Sequence, residues 1–362
     1  MSNPLTWWNG LGRPLARLPR WAAAGLIALL VASVVWSSFA VAPVEQAEVT
    51  RAEASESEGD RALYQRISER VAAGESYYEA AVDEQRTRNY PTRPFVTVRL
   101  PTLAWLHSVI GASGVRIVSM LLLLACLWGL HQRLEGRSDP LERTAAVVML
   151  ALGGAAVAGS QSGYVHEVLA GMLLTLAFVL YTPQRWWPSL LAAALALAVR
   201  ELAAPFVLLW LAFAMLERRW REVAALTVLL LAFAVGMYLH YLGVEAYRQA
   251  GDAPSQGWDG MLGPALPLMA MSRLTALLVL PVTLAAPFAL LPLVGWLGLG
   301  GRLGLFATLW FFGMFFALAL FARPENFYWA QLVLPAYFAG LALAPRALAD
   351  LASAIRRRER QS

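Results

Sequence analysis

The chain has 362 residues, 59% of them hydrophobic, with a mean hydropathy of +0.54. Charge-free runs of about twenty residues recur along it, the length that crosses ~30 Å of hydrocarbon, which excludes a soluble globular domain. All 29 basic residues are arginine, a bias we attribute to GC-rich coding, so the net charge of +5 carries less meaning than where the arginines fall.

Backbone groups in lipid must pair within each helix, so residues 1–362 are expected to form a single all-α transmembrane domain. Arg13, Arg17 and Arg20 precede the apolar run 21–41, which reads as a first span leaving the cytoplasm. Ala40-Val41-Ala42 resembles a signal-peptidase site, but a signal core has about 7–15 residues and this run is longer, so the span is expected to be retained. A polar stretch follows, and residues 42–113 are expected to form a first periplasmic loop. Within it, Ser57-Glu58-Gly59-Asp60 has the form of a capping box, and Leu63, Tyr64, Ile67 and Val71 then share one helical face, with Gly74 placed to end the helix. Ser76-Tyr77-Tyr78-Glu79 opens a second short helix in the same way. Both amphipathic helices are expected to lie along the membrane surface with their apolar faces down. The prolines at 91, 94 and 101 keep the next segment extended up to an apolar piece, 102–110.

The chain returns over 114–130 to His131-Gln132-Arg133-Leu134-Glu135-Gly136-Arg137, cytoplasmic by its arginines. Spans 145–157 and 164–181 follow. The stretch 186–216 is interrupted by Arg200, Glu201 and Pro205. As one helix it would run about 46 Å, too long for a single crossing, so it is expected to form a short hairpin with the charges at its outer tip. Glu217-Arg218-Arg219-Trp220-Arg221 marks the cytoplasm again, 223–242 crosses, and 243–263 forms a second outer loop. In the apolar run 261–300 the part before Arg273 is expected at the interface and 274–297 across the membrane, since two crossings would put the terminal arginines outside. Spans 303–321 and 327–344 complete about ten crossings, with both termini cytoplasmic.

This arrangement resembles the GT-C superfamily of membrane glycosyltransferases. Asp60-Arg61-Ala62-Leu63-Tyr64 and Gly74-Glu75-Ser76-Tyr77-Tyr78 are similar to the Asp, Tyr and Gly-x-x-Tyr pattern of many bacterial members. The stretch from Tyr90-Pro91 to Pro101 resembles their proline-rich return to the second span. The resemblance implies a bacterial inner-membrane enzyme that takes a sugar from a polyprenyl-phosphate carrier, with inversion, and transfers it to a periplasmic acceptor. It implies that Asp60 is the first-loop acid that deprotonates the acceptor or helps hold a divalent metal ion, the one cofactor suggested. As a bland alternative, Asp60 is simply the carboxylate of a helix N-cap.

His166 and Glu167 fall at the outer end of the fourth span, where Glu167 would assist catalysis and His166 line a substrate pocket; a plain helix-end carboxylate is the competing reading. A lipid-phosphate donor needs cationic, bidentate groups at headgroup depth, which makes Arg200, Arg99 and Arg323 the candidate phosphate binders. An internal Arg200–Glu201 pair is the alternative, although neighbours on a helix point apart. Tyr64 and Tyr328 are further pocket candidates, and Tyr328 with Trp329 suits either substrate contact or an interfacial aromatic belt. Trp258 suits either sugar stacking or a membrane anchor.

The single cysteine, Cys126, supports no disulfide, zinc site or thiol chemistry. No nucleotide-binding or metalloprotease motif appears, and nothing suggests nucleic acid; the expected partners are the lipid-linked sugar and membrane lipids. Two other functions stay open. A transporter or flippase would show internal repeats and charged helix breaks at mid-membrane, whereas the ionisable residues here gather at the outer end. A catalytically silent GT-C-like scaffold is kept open by the lack of an acidic pair close to the first span.

Overall fold

The computed structural model describes residues 4–54, 59–159 and 162–356, and of residues 48–54 the backbone only. The Ser57-Glu58 half of the expected capping box lies outside the described residues. Among the described residues the chain is all-helical. In order come α1 (Pro4–Leu11), α2 (Arg20–Ala54), α3 (Gly59–Ala72), α4 (Tyr77–Thr87), α5 (Thr102–Leu134), α6 (Pro140–Gly153) and α7 (His166–Leu180). Then follow α8 (Trp187–Val199), α9 (Ala204–Leu216), α10 (Trp220–Tyr247), α11 (Ala265–Arg273), α12 (Val282–Leu299), α13 (Gly301–Phe321) and α14 (Leu334–Arg356).

Six of these are long and apolar enough to cross a membrane: α2, α5, α10, α12, α13 and α14. The other expected crossings fall on helices of 13 to 15 residues, α6 to α9. At 1.5 Å per residue these are only about 20–23 Å long. Their shortness has a physical basis in α7, whose side chains are almost all buried in protein, so its ends meet other helices and the site rather than lipid headgroups.

The bundle has two distinct ends. At the termini end, Trp8 Nε1 donates to Gly301 O at 3.1 Å, Arg13 Nε to Asp350 Oδ2 at 2.9 Å, and an Arg346 guanidinium nitrogen to Arg137 O at 3.0 Å. The loop end carries α3 and α4. Between them α12 lies against α14, and a Cβ built on Gly295 would sit 1.9 Å from Gly340 O, so these backbones approach as only glycine allows.

Three local expectations meet the structure well. Gly74, at φ +95°, ends α3 with Gly74 N–H bonded to Val71 O and Glu75 N–H to Arg70 O. Helix α5 bends at Gly111, φ 68°, dividing the 102–110 piece from the long span. The 186–216 stretch is a hairpin: Arg219, just after α9, donates to Pro183 O, just before α8, so the segment leaves and returns at the termini end.

Three others change. Helix α2 runs on through Ala54, past the expected edge of the first span. Helices α3 and α4 turn their apolar faces onto protein, not lipid: Leu63, Ile67, Tyr77, Ala81 and Val82 form a small core with Val98, Ala104 and Val244. Ser68 Oγ to His107 Nδ1 at 2.8 Å fastens α3 to α5, and His107 Nε2 to Gly163 O, also 2.8 Å, fastens α5 to the turn before α7. Segment 265–273, expected at the interface, is a helix covered by protein among α2, α12 and α13; Ala265 through Ser272 are all buried. An all-round apolar helix suits either surroundings by composition, and only packing separates them.

Candidate functional site

The site forms where four chain segments meet at the loop end. Asp60 and Tyr64 stand one turn apart in the first two turns of α3. Arg99 sits on the extended link before α5, where Tyr77 Oη donates to Arg99 O at 2.5 Å and His240 Nε2 lies 3.0 Å from Val98 O, fixing the link from both sides. Arg200 occupies the break between α8 and α9, with φ −148° and ψ 118°. Tyr328 belongs to a 3₁₀ turn, Pro324–Leu332, laid against α7. That contact depends on Gly171, whose added Cβ would fall 2.1 Å from Gln331 O.

These groups are joined by hydrogen bonds and charge. Arg200 Nε donates to Glu167 Oε1 at 2.6 Å, and an Arg99 guanidinium nitrogen lies 3.9 Å from the same oxygen. Arg99 donates to Tyr328 Oη at 3.0 Å, and Tyr328 Oη donates to Asp60 Oδ2 at 3.2 Å. The Arg99 guanidinium stands 6.0 Å from the Tyr64 ring centre, and Tyr64 meets the His166 ring edge-on at 4.9 Å. Burial pushes the phenols of Tyr64 and Tyr328 well above their ordinary range, so both hydroxyls stay neutral.

The side chains of Arg200 and Glu167 are 1% and 3% exposed, so their pairing is what makes either charge tolerable there. Arg200 also bonds Glu201. The expectation that these neighbours point apart assumes a continuous helix; here the helix breaks at Arg200, and the two side chains meet.

The cluster opens onto a cavity of about 1000 Å3. Of the expected site residues, Asp60, Tyr64, Arg99, Arg200, Arg323 and Tyr328 line it. His166 and Glu167 stand behind the wall, Glu167 holding Arg200 and His166 supporting Tyr64. Arg323 sits at the rim, engaged with Glu325 at 2.8 Å and with Gln256. One wall is apolar, built from Leu202, Pro205, Met314, Ala317 and Phe321. On α13 that wall continues into Phe312 and Phe316, which face outward from the bundle.

The opposite rim is a clasp between the two long loops. Thr92 N–H donates to Ala253 O at 3.1 Å, Ser255 N–H to Arg93 O at 2.6 Å, and Arg86 Nε to Asp252 Oδ1 at 2.6 Å. The Arg86 guanidinium holds the Asp252 carboxyl below its ordinary range. Glu201 and Gln85 also line the cavity and were not among the expected site residues; Trp329, left open between substrate contact and an aromatic belt, lines it too. Trp329 Nε1 and Arg99 Nε are buried donors with no partner among the described residues. The Arg200-Glu201 dipeptide at a helix break was the available signal for Glu201; nothing in the sequence distinguished Trp329 from a belt residue.

The single carboxylate at Asp60, with Glu201 and Glu325 already occupied by arginines, does not make a metal-binding set. Among the described residues no group of three or more His, Cys, Asp or Glu side chains could hold a metal ion. No family model matches this chain, and no curated protein or solved structure matches it either.

Proposed function

We propose that the chain is an inverting membrane glycosyltransferase of GT-C style, moving a hexosyl or pentosyl group from a polyprenyl-phosphate carrier to an acceptor hydroxyl. The observation that carries this reading is the meeting of Asp60 with Arg99 and Arg200 in one cavity that has an apolar wall on α13 and a polar rim of loops. A lipid-linked donor needs that combination: an apolar path for its chain, cations for its phosphate, and a base beside the sugar.

In this reading Asp60 accepts the acceptor's proton as its oxygen attacks the anomeric carbon from the face opposite the phosphate. The carbon–oxygen bond to the phosphate breaks, and the departing phosphate gathers charge that Arg99 and Arg200 neutralise, with Arg323 at the rim. The unpartnered Arg99 Nε and Trp329 Nε1 are donors poised for phosphate or sugar oxygens. Glu167 acts by holding Arg200 in place rather than by touching substrate. The loop end then faces the periplasm and both termini the cytoplasm, across a bacterial inner membrane, with the short helices α6 to α9 completing ten passes.

The test is transfer from pooled polyprenyl-phosphate sugars by the full chain in membranes. Asp60→Asn is expected to lower the rate by about 10²–10⁴-fold, the usual contribution of a general base. An unchanged rate removes Asp60 from the base role. Absence of transfer by the wild-type chain across all donors favours a lipid-binding scaffold without catalysis.

A further inference from the structure

At the termini end, far from the Asp60 cavity, lies a second hollow of about 500 Å3. Four arginines line it: Arg133 in the last turn of α5, Arg137 just after that helix, Arg219 before α10, and Arg302 in the first turn of α13. Two of them are neutralised and immobilised. Arg302 Nε donates to both oxygens of Glu217, at 2.9 and 3.1 Å, and its guanidinium stacks 4.0 Å over the Tyr181 ring. Arg219 pairs with Glu222, which Trp210 Nε1 and Tyr181 Oη also hold at 3.0 and 3.2 Å.

The other two have no carboxylate. Among the described residues no ion pair engages Arg133 or Arg137, and Arg133 Nε and one Arg302 terminal nitrogen are buried without any hydrogen-bond partner. Guanidiniums gathered around one hollow repel one another, and buried N–H groups without acceptors cost free energy; a multivalent oxyanion answers both. The hollow also borders Gly301, so the first turn of α13 adds its own partial positive charge.

We propose that this hollow binds a phosphate group, carried either by an anionic lipid headgroup or by a soluble phosphate ester. Arg133, Arg137 and the unpartnered edge of Arg302 contact its oxygens, while Glu217, Tyr181 and Glu222 hold the frame. The planar guanidinium fork suits phosphate, and two forks unencumbered by carboxylates give room for bidentate contacts.

The experiment uses the full chain in phosphatidylcholine nanodiscs, with thermal stability as the readout. One arm titrates pyrophosphate; the other replaces part of the phosphatidylcholine with phosphatidylglycerol. The wild-type chain is expected to be stabilised in one arm or both, and R133Q/R137Q to need at least about tenfold more anion for the same effect, as loss of charged hydrogen bonds implies. Arg221→Gln, an exposed loss of one cation at the same end but outside the hollow, matched in charge to Arg137→Gln, is expected to shift it less than about twofold. Response to pyrophosphate identifies a soluble ester; response to phosphatidylglycerol alone identifies a headgroup. No stabilisation in either arm, an unchanged response in R133Q/R137Q, or an equal loss in R221Q overturns the proposal. If the double variant does not fold, Arg137→Gln at its exposed position decides the matter under the same criteria. The readout is independent of sugar transfer, so it stands whatever the Asp60 assay returns.

Discussion

Glu167 and Arg200 illustrate how little freedom a buried charge has. Both side chains are almost fully enclosed, and each charge is offset chiefly by the other, with Glu201 and Arg99 as secondary partners. Glu167→Gln keeps the shape but leaves a buried guanidinium short of one anion, so it is expected to destabilise the chain by about 3–5 kcal/mol, the cost of breaking such a pair. Adding Arg200→Gln should restore part of that loss, and a melting-temperature cycle over the four proteins measures the coupling; strictly additive losses would show that the two charges do not depend on each other. Tyr328 makes a different demand, because its hydroxyl both accepts from Arg99 and donates to Asp60. Tyr328→Phe removes that bridge without opening a cavity. Transfer should fall about ten- to a hundredfold, as expected for a hydrogen bond to a charged group, with the melting temperature nearly unchanged. A Tyr328→Phe chain that transfers at the wild-type rate would place the bridge outside the chemistry.

Secondary elements were legible where a single residue decides the backbone. Gly74 ends α3 and Gly111 bends α5 because both take a positive φ, and Arg200-Glu201 with Pro205 breaks the 186–216 stretch because charge and ring alike oppose a continuous apolar helix. What the elements rest on was not legible. The same apolar stripe on α3 that suits lipid also suits α5, and α11 carries no mark of its burial. Gly171 read only as one small residue among many, yet it sets how closely the 3₁₀ turn bearing Tyr328 lies on α7. Gly171→Ala should displace that turn, costing about 1–3 kcal/mol from overpacking and lowering transfer together with it; a normal melting temperature would mean the turn relaxes freely. The loop clasp offers a pH test. Asp252's carboxyl is held below its ordinary range by Arg86, so its contribution is complete above the unfolded value near 4 and is lost as pH falls through the lower folded value. Amide exchange at Thr92 and Ser255 should be slow at pH 7 and fast in acid after correction for intrinsic rates. In Asp252→Asn it should be fast at both, and protection equal to wild type in that variant would assign the clasp to its backbone bonds alone.

Across the whole molecule, six expected site residues on four segments line one cavity, and the three arginines among them were legible as costly charges at the outer end of the bundle. Depth can be reckoned from a topology; adjacency cannot, which is why Glu167 and His166 fall behind the wall while Trp329 lines it. The depth itself rests on the arginines. Arg133, Arg137, Arg218, Arg219 and Arg221 cluster beside the ends of spans at the termini end. Arginines flanking spans mark the cytoplasmic side whether or not an acid pairs them, so the two ends should lie on opposite sides of the membrane with the Asp60 cavity outside. Cys126 is the chain's only cysteine and is buried, so Cys126→Ser gives a clean background for thiol labelling in intact cells. A cysteine at Ala73, exposed in the turn between α3 and α4, should react with a membrane-impermeant maleimide. One at Arg221 should react only after the cells are opened. Labelling of Arg221→Cys alone in intact cells would reverse the orientation and remove a periplasmic acceptor from consideration, leaving the cavity's chemistry to be sought on the cytoplasmic side, whereas labelling of both would put the two ends on one side and overturn the threading.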